Sequence, residues 1–548
     1  MSGTTAAAVS AGAARVEPRR LRAMLVDGRE MALLDVREEL IYSQSHLLHA
    51  RSAPLSRLEL RVAALVPRCG TRIVLCDDDE TLATRAADSL RRHGYTDVSI
   101  LTGGVPGWAA AGFELFSGVN VPSKAFGEFV EHDSGTPGIE PQELDRLLRS
   151  RADLVVLDSR PFDEDSRMSI PTGIDVPGAE LVLRARDLAP SPGTTIVVNC
   201  AGRTRSIIGA QSLINAGVPN KVVALRNGTM GWSLAGLTCE TGQSRRAPPP
   251  SPDGLAWAKE AAGRVAAAYG VQRIDRAALE HFQAEAQERT LYLFDVRDPD
   301  EYRGGHLPGA VSAPGGQLVQ ATDQYVGTLG ARIVVVDDAD VRALMTASWL
   351  RQMGWRDVFV LAERGTETGV PAPAVLGEID RPAARIDAAA LRGLVDRGEA
   401  TVIDVSTSRA YRGGHIPGAW FAIRSRLATA LPKIAVEGAV VLTSEDGALA
   451  SLAVDEAQAL IRGPVRYLDG GNAAWTSAGH PVEPGDARMA DEPIDAWLKP
   501  YERAAGISAA MSDYLAWEID LIDRIKRDGT CHFLPNARRN AGSPAGVR

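Results

Sequence analysis

Short runs of apolar residues recur along the chain, two of them in each of four repeats. The first run of each repeat ends in an aspartate, at Asp35, Asp158, Asp295 and Asp404. A second run follows about forty residues later and ends at Cys76, Cys200, Val336 and Thr443. Stretches such as 196–198 and 333–335 have no polar position, which is typical of strands covered on both faces in a parallel sheet. The pattern therefore predicts four tandem α/β domains.

Each repeat also carries turn signals. A Gly-Gly or Asn-Gly turn precedes a tryptophan 32 residues after the second run, at Trp108, Trp232 and Trp475, whereas the third repeat has Thr368 there. The sequences Gly-His-Leu-Pro-Gly-Ala at 305–310 and Gly-His-Ile-Pro-Gly-Ala at 414–419 are nearly identical. The first repeat has a degenerate form at 45–50, and in the second the Val-Pro-Gly-Ala at 176–179 follows about six extra residues.

The junction over 194–206 carries the strongest chemical signal. A buried strand ends at Cys200, a loop with Arg203 and Arg205 follows, and a helix is predicted over about 206–216, ended by Gly217. The thiol then lies at the positive end of a helix dipole, where consecutive backbone N–H groups can form an anion-binding nest. Together with the two arginines, these groups favour thiolate over thiol. Such a thiolate is suited to attack on sulfur or phosphorus in a small anion.

These landmarks together resemble the rhodanese family over most of residues 20–485. The Asp-Val-Arg opening, the Gly-His-Ile-Pro-Gly-Ala turn, the strand-Cys-loop-helix junction and the Gly-Gly…Trp close all match its pattern. The resemblance implies that each repeat is a small α/β domain with a mostly parallel sheet flanked by helices. We expect domains over 16–118, 138–242, 272–375 and 384–485, followed by a helical C-terminal tail over 486–548.

Only the second repeat is predicted to be catalytic. In the first, Cys76 is followed by four acidic residues, which disfavour a thiolate and repel an anionic substrate, so Cys76 is interpreted as a buried relic. The third repeat has Val336 at this point and the fourth has Thr443, followed by acidic residues. These three domains are therefore predicted to be inactive.

The resemblance implies a sulfurtransferase of ping-pong mechanism. The Cys200 thiolate would take the outer sulfur of thiosulfate or a low-molecular-weight persulfide, and a Cys200 persulfide would pass it to a thiol or to cyanide. No metal or organic cofactor is required. 3-Mercaptopyruvate is a less favoured donor, because the loop is more basic than the Gly-Ser-Gly-Val-Thr type associated with mercaptopyruvate enzymes.

The candidate substrate-binding groups lie in the loop and in the first strand's turn. Arg203 or Arg205 is expected to hold the oxyanion end of the donor. Arg160 is similar to an arginine near the active site of catalytic rhodaneses and is a candidate for substrate binding. A structural Asp158–Arg160 pair is the alternative, because Arg37 and Arg297 recur in repeats without the chemistry. The charged sulfur is expected to be held by backbone N–H groups of the loop: Ala201, Gly202, Arg203, Thr204, Arg205 and Ser206.

Loop length separates two chemistries within this fold. The loop from Cys200 to Arg205 has the form Cys-X4-Arg, whereas the phosphatase and arsenate-reductase relatives of rhodaneses have Cys-X5-Arg. The shorter loop favours sulfur transfer over phosphatase or arsenate-reductase chemistry. A second hypothesis is a protein-to-protein sulfur carrier, in which the inactive domains dock donor and acceptor proteins.

Composition is that of an ordinary globular protein. The chain has 548 residues, 45% hydrophobic and 24% charged, and a net charge of −9, which argues against nucleic acid as a partner. No apolar run approaches the length of a membrane span, and the first twenty residues lack the apolar core of a secretion signal and are interpreted as a disordered lead-in. Five irregularly spaced cysteines do not form a disulfide or zinc pattern. We expect a cytoplasmic protein of bacterial origin.

Linkers and a tail complete the organisation. The segment 120–138 is polar, and 245–254, with three consecutive prolines, is predicted to be a hinge that divides the chain into two pairs of domains. Residues 254–269 are predicted to be helical. An amphipathic helix is predicted over 508–527, which either packs on the domains or makes a homodimer. Cys531 in this tail is a candidate for relaying sulfur.

Overall fold

Four parallel sheets dominate the computed structural model, which describes residues 13–535. The strand orders of the second, third and fourth sheets are β6-β10-β9-β7-β8, β11-β16-β15-β12-β13 and β17-β21-β20-β18-β19. The first sheet repeats this order as β1-β5-β4-β2-β3 and gains β14 from the third domain. Helices cover the sheets, so the predicted fold of four mostly parallel α/β domains with a helical tail is confirmed.

The elements follow the same order in each domain. The first domain and the segment after it contain β1 (Ala14–Val16), α1 (Pro18–Leu25), β2 (Met31–Asp35), α2 (Glu39–Gln44), β3 (Arg51–Ser52), α3 (Leu58–Leu65), β4 (Arg72–Cys76), α4 (Thr81–Arg92), β5 (Val98–Leu101), α5 (Gly104–Ala110) and α6 (Val121–Ser134). The second domain and its spacer contain β6 (Gly138–Ile139), α7 (Pro141–Arg149), β7 (Leu154–Asp158), α8 (Phe162–Arg167), β8 (Ile174–Asp175), α9 (Leu181–Leu188), β9 (Thr195–Asn199), α10 (Thr204–Ala216), β10 (Val222–Leu225), α11 (Gly228–Leu234) and α12 (Pro252–Ala268).

The second half of the chain repeats this order and ends in a long helix. The third domain contains β11 (Gln272–Arg273), α13 (Arg276–Ala284), β12 (Leu291–Asp295), α14 (Pro299–Gly304), β13 (Val311–Ser312), α15 (Gly315–Gln320), α16 (Thr322–Tyr325), β14 (Thr328–Leu329), β15 (Arg332–Asp337), α17 (Arg342–Gln352) and β16 (Val358–Ala362). The fourth domain and tail contain β17 (Arg385–Ile386), α18 (Ala388–Asp396), β18 (Ala400–Asp404), α19 (Ser408–Gly413), β19 (Trp420–Phe421), α20 (Leu427–Ala430), β20 (Ala439–Thr443), α21 (Ala448–Gln458), β21 (Val465–Leu468), α22 (Gly471–Ser477) and α23 (Ile507–Asp528).

The predicted insertion in the second repeat is wrong. Val176 N donates to Asp158 O at 2.8 Å, and Ala313 N donates to Asp295 O at 2.8 Å, so both domains have the same 18-residue spacing (176 − 158 and 313 − 295). The segment 168–173 therefore occupies the place of the Gly-His turn of the third repeat. The Pro-Gly sequence at 177–178 matches the later Pro314-Gly315, and the similar letters of the two motifs caused the misalignment.

The second and third domains share one hydrophobic core across the proline-rich spacer. Strand residues of both, such as Val198 and Val335, belong to this core, and α12 packs between α9 and α17. Trp349 Nε1 donates to Ser212 Oγ at 2.8 Å across the interface. The predicted hinge is wrong, because the small residues of α12 (Ala258, Ala261 and Ala262) are fully buried between the two domains.

The first domain packs against the third and the fourth. Arg424 of the fourth domain pairs with Glu59 of the first at 2.7 Å. From the third domain, β14 joins β2 in antiparallel pairing, with Thr328 opposite Ala32 and Leu329 opposite Met31. The predicted division into a first and a second pair of domains is therefore replaced by contacts that join the ends of the chain.

The linker and tail both form helices. The segment interpreted as a polar linker contains α6, which packs against α10 and against α23 of the tail. The amphipathic helix predicted over 508–527 is α23, and its residues Met511, Leu515, Leu521 and Ile525 are buried. It packs on the domains, which was one of the two alternatives for this helix. Among the described residues, no helix is long and apolar enough to cross a bilayer.

Candidate functional site

The loop after β9 holds Cys200 at the carboxyl end of the second sheet. Its side chain is 2% exposed, and Sγ lies 3.5 Å from Ser206 Oγ on α10. The first amides of α11 fix the loop, because Thr229 N donates to Cys200 O at 2.8 Å and Met230 N to Ala201 O at 3.0 Å. Gly228 allows this approach, since a Cβ there would lie 2.2 Å from Cys200 O.

The loop amides are available for an anion. Within residues 13–535, no hydrogen-bond acceptor reaches the backbone N–H groups of residues 201–206, and the first intrahelical bond runs from Ile207 N to Arg203 O at 3.1 Å. Unsatisfied N–H groups at a helix start carry partial positive charge and form a ready anion site. The predicted cradle is therefore present around Cys200.

Strand register identifies the counterparts of Cys200 in the other domains. Asp158 pairs with Asn199, whereas Asp35 pairs with Cys76, Asp295 with Val336 and Asp404 with Thr443. The residues equivalent to Cys200 are the next ones along: Asp77, Asp337 and Ser444. The prediction that Cys76 is the counterpart of Cys200 is wrong. Cys76 ends a buried strand, and burial raises the pKa of its thiol well above the usual range.

Side chains of the inactive domains fill their own cradles. The Asp77 carboxylate accepts from the amides of Glu80, Leu82 and Ala83 at 2.7, 2.7 and 3.1 Å. Asp337 accepts from the amides of residues 340–343, and Ser444 Oγ accepts from Ala450 N at 3.2 Å. Counted from the side chain that accepts, the three Asp77 donors correspond to the amides of residues 203, 205 and 206 in the second domain. A negative group carried by residue 200 would meet these three donors.

Arg203 is engaged by carboxylates of α6. Its Nε donates to Glu128 Oε1 at 2.8 Å and its Nη2 to Glu128 Oε2 at 2.7 Å, and Glu131 also pairs with Nη2. Its Nη1 donates to Asn227 Oδ1 at 3.2 Å. All three guanidinium nitrogens are thus occupied, so Arg203 fixes the loop to α6 and adds positive charge to the site.

Arg205 is engaged by the second and third domains. Its Nη2 donates to Glu164 Oε2 of α8 at 2.8 Å, and its Nη1 donates to Gln317 Oε1 of α15 at 3.1 Å. Lys499 of the tail lies 3.1 Å from the other oxygen of Glu164. Although burial opposes ionisation, Arg205 and Lys499 hold the pKa of Glu164 well below its usual range.

Arg160 combines an ion pair with an unengaged nitrogen. Its Nε and Nη2 each donate to Asp158 at 2.8 Å, which is the structural pair that recurs as Arg37–Asp35 and Arg297–Asp295. In those two domains Nη1 donates to the residue after the cradle aspartate, Asp78 and Asp338. Ala201 occupies this place in the second domain. Among the described residues, none accepts from Arg160 Nη1.

The cavity at Cys200 has walls from four parts of the chain. Its volume is about 70 Å³, room for a few water-sized groups. Beside the loop, it is lined by Lys124 of α6, Gln320 of α15, Glu164 of α8 and Met230 of α11. The tail covers the remaining side with residues that the sequence analysis did not place in the site: Trp497, Lys499, Pro500, Tyr501 and Tyr514. Four cations and one carboxylate lie among the lining side chains.

Nothing in the repeat pattern could have identified these tail residues, because they lie outside the repeats. The nearest signal was Tyr514 on the amphipathic helix, which was assigned to an apolar face. Glu164 was visible as part of the predicted insertion but had no counterpart to compare.

The remaining cysteines lie apart from this cavity. Cys531 lines a different cavity with His49 and Phe533, and burial raises the pKa of its thiol to about 12. Cys239 packs in the core of the second domain, and burial raises its pKa as well. Cys69 is exposed at the end of the first domain's loop. The proposed sulfur relay through Cys531 gains no support from this placement.

Comparison with known families identifies the class of the four domains. The model of the rhodanese-like domain matches residues 17–111, 140–235, 278–363 and 387–478, which together make up more than half of the chain. The chain therefore belongs to the rhodanese family. The expected family and the expected type of enzyme, a rhodanese-type transferase, are both confirmed.

A solved structure matches nearly the whole chain. The crystal structure of thiosulfate sulfurtransferase from Pseudomonas aeruginosa is 50% identical with a TM-score of 0.92, and the match covers 95% of this chain and 99% of that one. Shorter matches are the probable adenylyltransferase/sulfurtransferase MoeZ of Mycobacterium tuberculosis, 31% identical over 19% of this chain, and the uncharacterized protein YqhL of Bacillus subtilis, 35% identical over 15%. They span 26% and 62% of those relatives, less than two thirds of either.

Proposed function

We propose that the protein moves sulfane sulfur from thiosulfate or a low-molecular-weight persulfide to a thiol or cyanide through a persulfide on Cys200. The observation that carries the proposal is the set of unengaged amides of residues 201–206 around a buried cysteine. In the inactive domains the same amides bind a carboxylate, which indicates their preference for negative charge. The 50% identity to a thiosulfate sulfurtransferase over 95% of the chain supports the choice of donor.

The proposed reaction has two displacement steps. The Cys200 thiolate attacks the outer sulfur of thiosulfate, the S–S bond breaks, and its electron pair leaves with sulfite. Cys200 then carries a persulfide, whose terminal sulfur is negatively charged and accepts from the amides of residues 203, 205 and 206. A thiolate or cyanide attacks that sulfur, and the electron pair of the second S–S bond returns to Cys200.

The arginines have separate proposed roles. Arg203 and Arg205 keep their carboxylate partners and supply a fixed positive field beside the loop. Arg160 Nη1 has no acceptor among the described residues and is proposed to contact the donor, since the aspartate that engages the equivalent nitrogen elsewhere is replaced by Ala201.

The proposal is tested by loading the protein with thiosulfate, removing the excess and measuring the intact mass. We expect a gain of about 32 Da on Cys200, which cyanide discharges as thiocyanate. Cys200→Ser should abolish both, because the hydroxyl is a poor nucleophile. Cys76→Ser is the matched control and should retain transfer within about twofold, because a buried surface-remote change of this size is small. An unloaded wild type, or a fully active Cys200→Ser, contradicts the proposal.

The inactive domains support the site in this proposal. The third domain supplies Gln317 to Arg205, and Arg409 of the fourth domain pairs with Glu502 at 2.6 Å, next to the tail residues that line the cavity. These contacts favour an enzyme whose inactive domains complete one site over a carrier whose inactive domains dock other proteins.

A further inference from the structure

The tail closes the cavity that holds Cys200. Trp497 N donates to Glu39 Oε2 of the first domain at 3.1 Å. Further along the tail, Met511 and Leu515 pack on Met230 of α11, directly behind the loop. The segment between these anchors, 497–501, is thereby held over the cavity.

The cations that line the cavity differ in how fully they are engaged. The guanidinium of Arg203 has an acceptor at every nitrogen, and Arg205 has acceptors at both Nη atoms. Each arginine is 9% exposed or less. A lysine ammonium has three donors, and Lys499 Nζ has one ion-pair partner among the described residues, Glu164 at 3.1 Å. Two of its donors therefore remain for a ligand.

Lys499 is also placed where an anion would enter. Its side chain is 36% exposed, compared with 12% for Lys124, and its Nζ lies 5.8 Å from the centre of the Tyr501 ring. The Glu164 carboxylate that it contacts is shared with Arg205, so one negative charge faces two positive ones. An anionic ligand would complete the charge balance.

We propose that Lys499 of the tail binds the oxyanion end of the sulfur donor, and that the closed cavity selects small inorganic donors of the thiosulfate type over persulfides of peptide thiols. This inference rests on the proposed function. The outer sulfur of thiosulfate points to Cys200 and its three oxygens to Lys499, which also stabilises the sulfite that departs. A tripeptide persulfide has several times the volume of thiosulfate and lacks the compact oxyanion.

The test compares Lys499→Met with the wild type in thiosulfate–cyanide turnover. We expect kcat/KM for thiosulfate to fall about ten- to a hundredfold, as for loss of a charged hydrogen bond, while kcat/KM for cyanide stays within twofold. Lys499→Arg should restore much of the thiosulfate value. Lys526→Met, an exposed change on the same tail, is the matched control and should leave both values unchanged.

Glutathione persulfide provides the second arm, read as the rate at which Cys200 gains one sulfur by mass. We expect wild type to load more slowly from it than from thiosulfate, and Lys499→Met to leave this slow rate unchanged. Equal thiosulfate kinetics in wild type and Lys499→Met, or faster loading from glutathione persulfide, overturns the inference while the proposed function stands. Absence of a Cys200 persulfide with either donor overturns both.

Discussion

Four side chains occupy the same place in four domains: Cys200, Asp77, Asp337 and Ser444. The amides behind them are common to all four, and only the side chain differs. An aspartate satisfies the amides from within the protein, whereas a cysteine leaves them for a ligand. The difference between an inactive and a catalytic domain is thus concentrated at one position.

This comparison predicts that Cys200→Asp will fill the cradle. Cys200→Ser should still bind thiosulfate or sulfite, and saturating anion should raise its melting temperature, since a ligand at about 100 times Kd adds about 2.7 kcal/mol. Cys200→Asp should show no such rise, because its carboxylate takes the amides of residues 203, 205 and 206. Thermal unfolding with increasing sulfite checks this. Equal shifts in the two variants would place the anion elsewhere.

The sequence was sufficient to find Cys200, its loop and its helix, because strand, loop and helix start are local patterns. It was not sufficient to align the inactive repeats. Equal spacing to the tryptophans matched Cys76 with Cys200, but the second domain has one more residue between the loop and Gly228 than the first has before Gly104. The distance from the first-strand aspartate, 42 residues to both Asp77 and Cys200, is the signal that gives the correct register. The engagement of Arg203 by Glu128 depends on α6, which no periodicity linked to the loop.

At the scale of elements, α23 reaches the site through its contact with the segment after α5. Gly118 has φ +88°, and a Cβ there would lie 2.4 Å from Cζ2 of Trp517 on α23. The close contact lets the helix lie flat on the first domain, where Leu521 and Ile525 are buried beside Phe116. The helix in turn carries Tyr514 to the cavity wall.

Gly118→Ala should therefore loosen the tail. Two costs arise, strain of roughly 1–2 kcal/mol from a positive φ and the clash with Trp517. Gly112→Ala isolates the first, because Gly112 has φ +85° and no atom within 4 Å of the added Cβ. We expect Gly118→Ala to speed proteolytic cleavage within 497–535 and to raise KM for thiosulfate, and Gly112→Ala to do neither. Identical digestion of the two variants would contradict this use of the tail.

At the scale of the whole molecule, the ends of the chain meet at an interface with buried polar groups. Glu38 of the first domain is 5% exposed and accepts from Ser56 Oγ and from Ser425 Oγ of the fourth domain, both at 2.9 Å. Burial raises the pKa of Glu38 to about 7. The protonated form is therefore favoured in the folded protein relative to the unfolded chain.

The sign of this shift predicts a pH dependence of stability. A carboxyl whose folded pKa is raised contributes its stabilisation fully below its ordinary pKa of about 4.5, and the contribution is lost as pH rises to about 7. Glu38→Gln mimics the protonated form, so the fall in melting temperature between pH 5 and pH 8 should be a few degrees smaller than in wild type. Glu437→Gln, at an exposed position of the fourth domain, should keep the wild-type slope. Parallel curves for all three proteins would contradict the assignment.

The pairing of β14 with β2 has a consequence for synthesis on the ribosome. The residues that close this edge of the first sheet, Thr328 and Leu329, are translated nearly 300 residues after Met31 and Ala32. At typical elongation rates of 5–20 residues per second, the nascent first domain waits roughly 15 to 60 s with that edge uncovered. An open edge is a template for pairing with another chain. Efficient biogenesis thus requires the emerging N-terminal part to be shielded, by slow translation or a bound chaperone, until the third domain arrives.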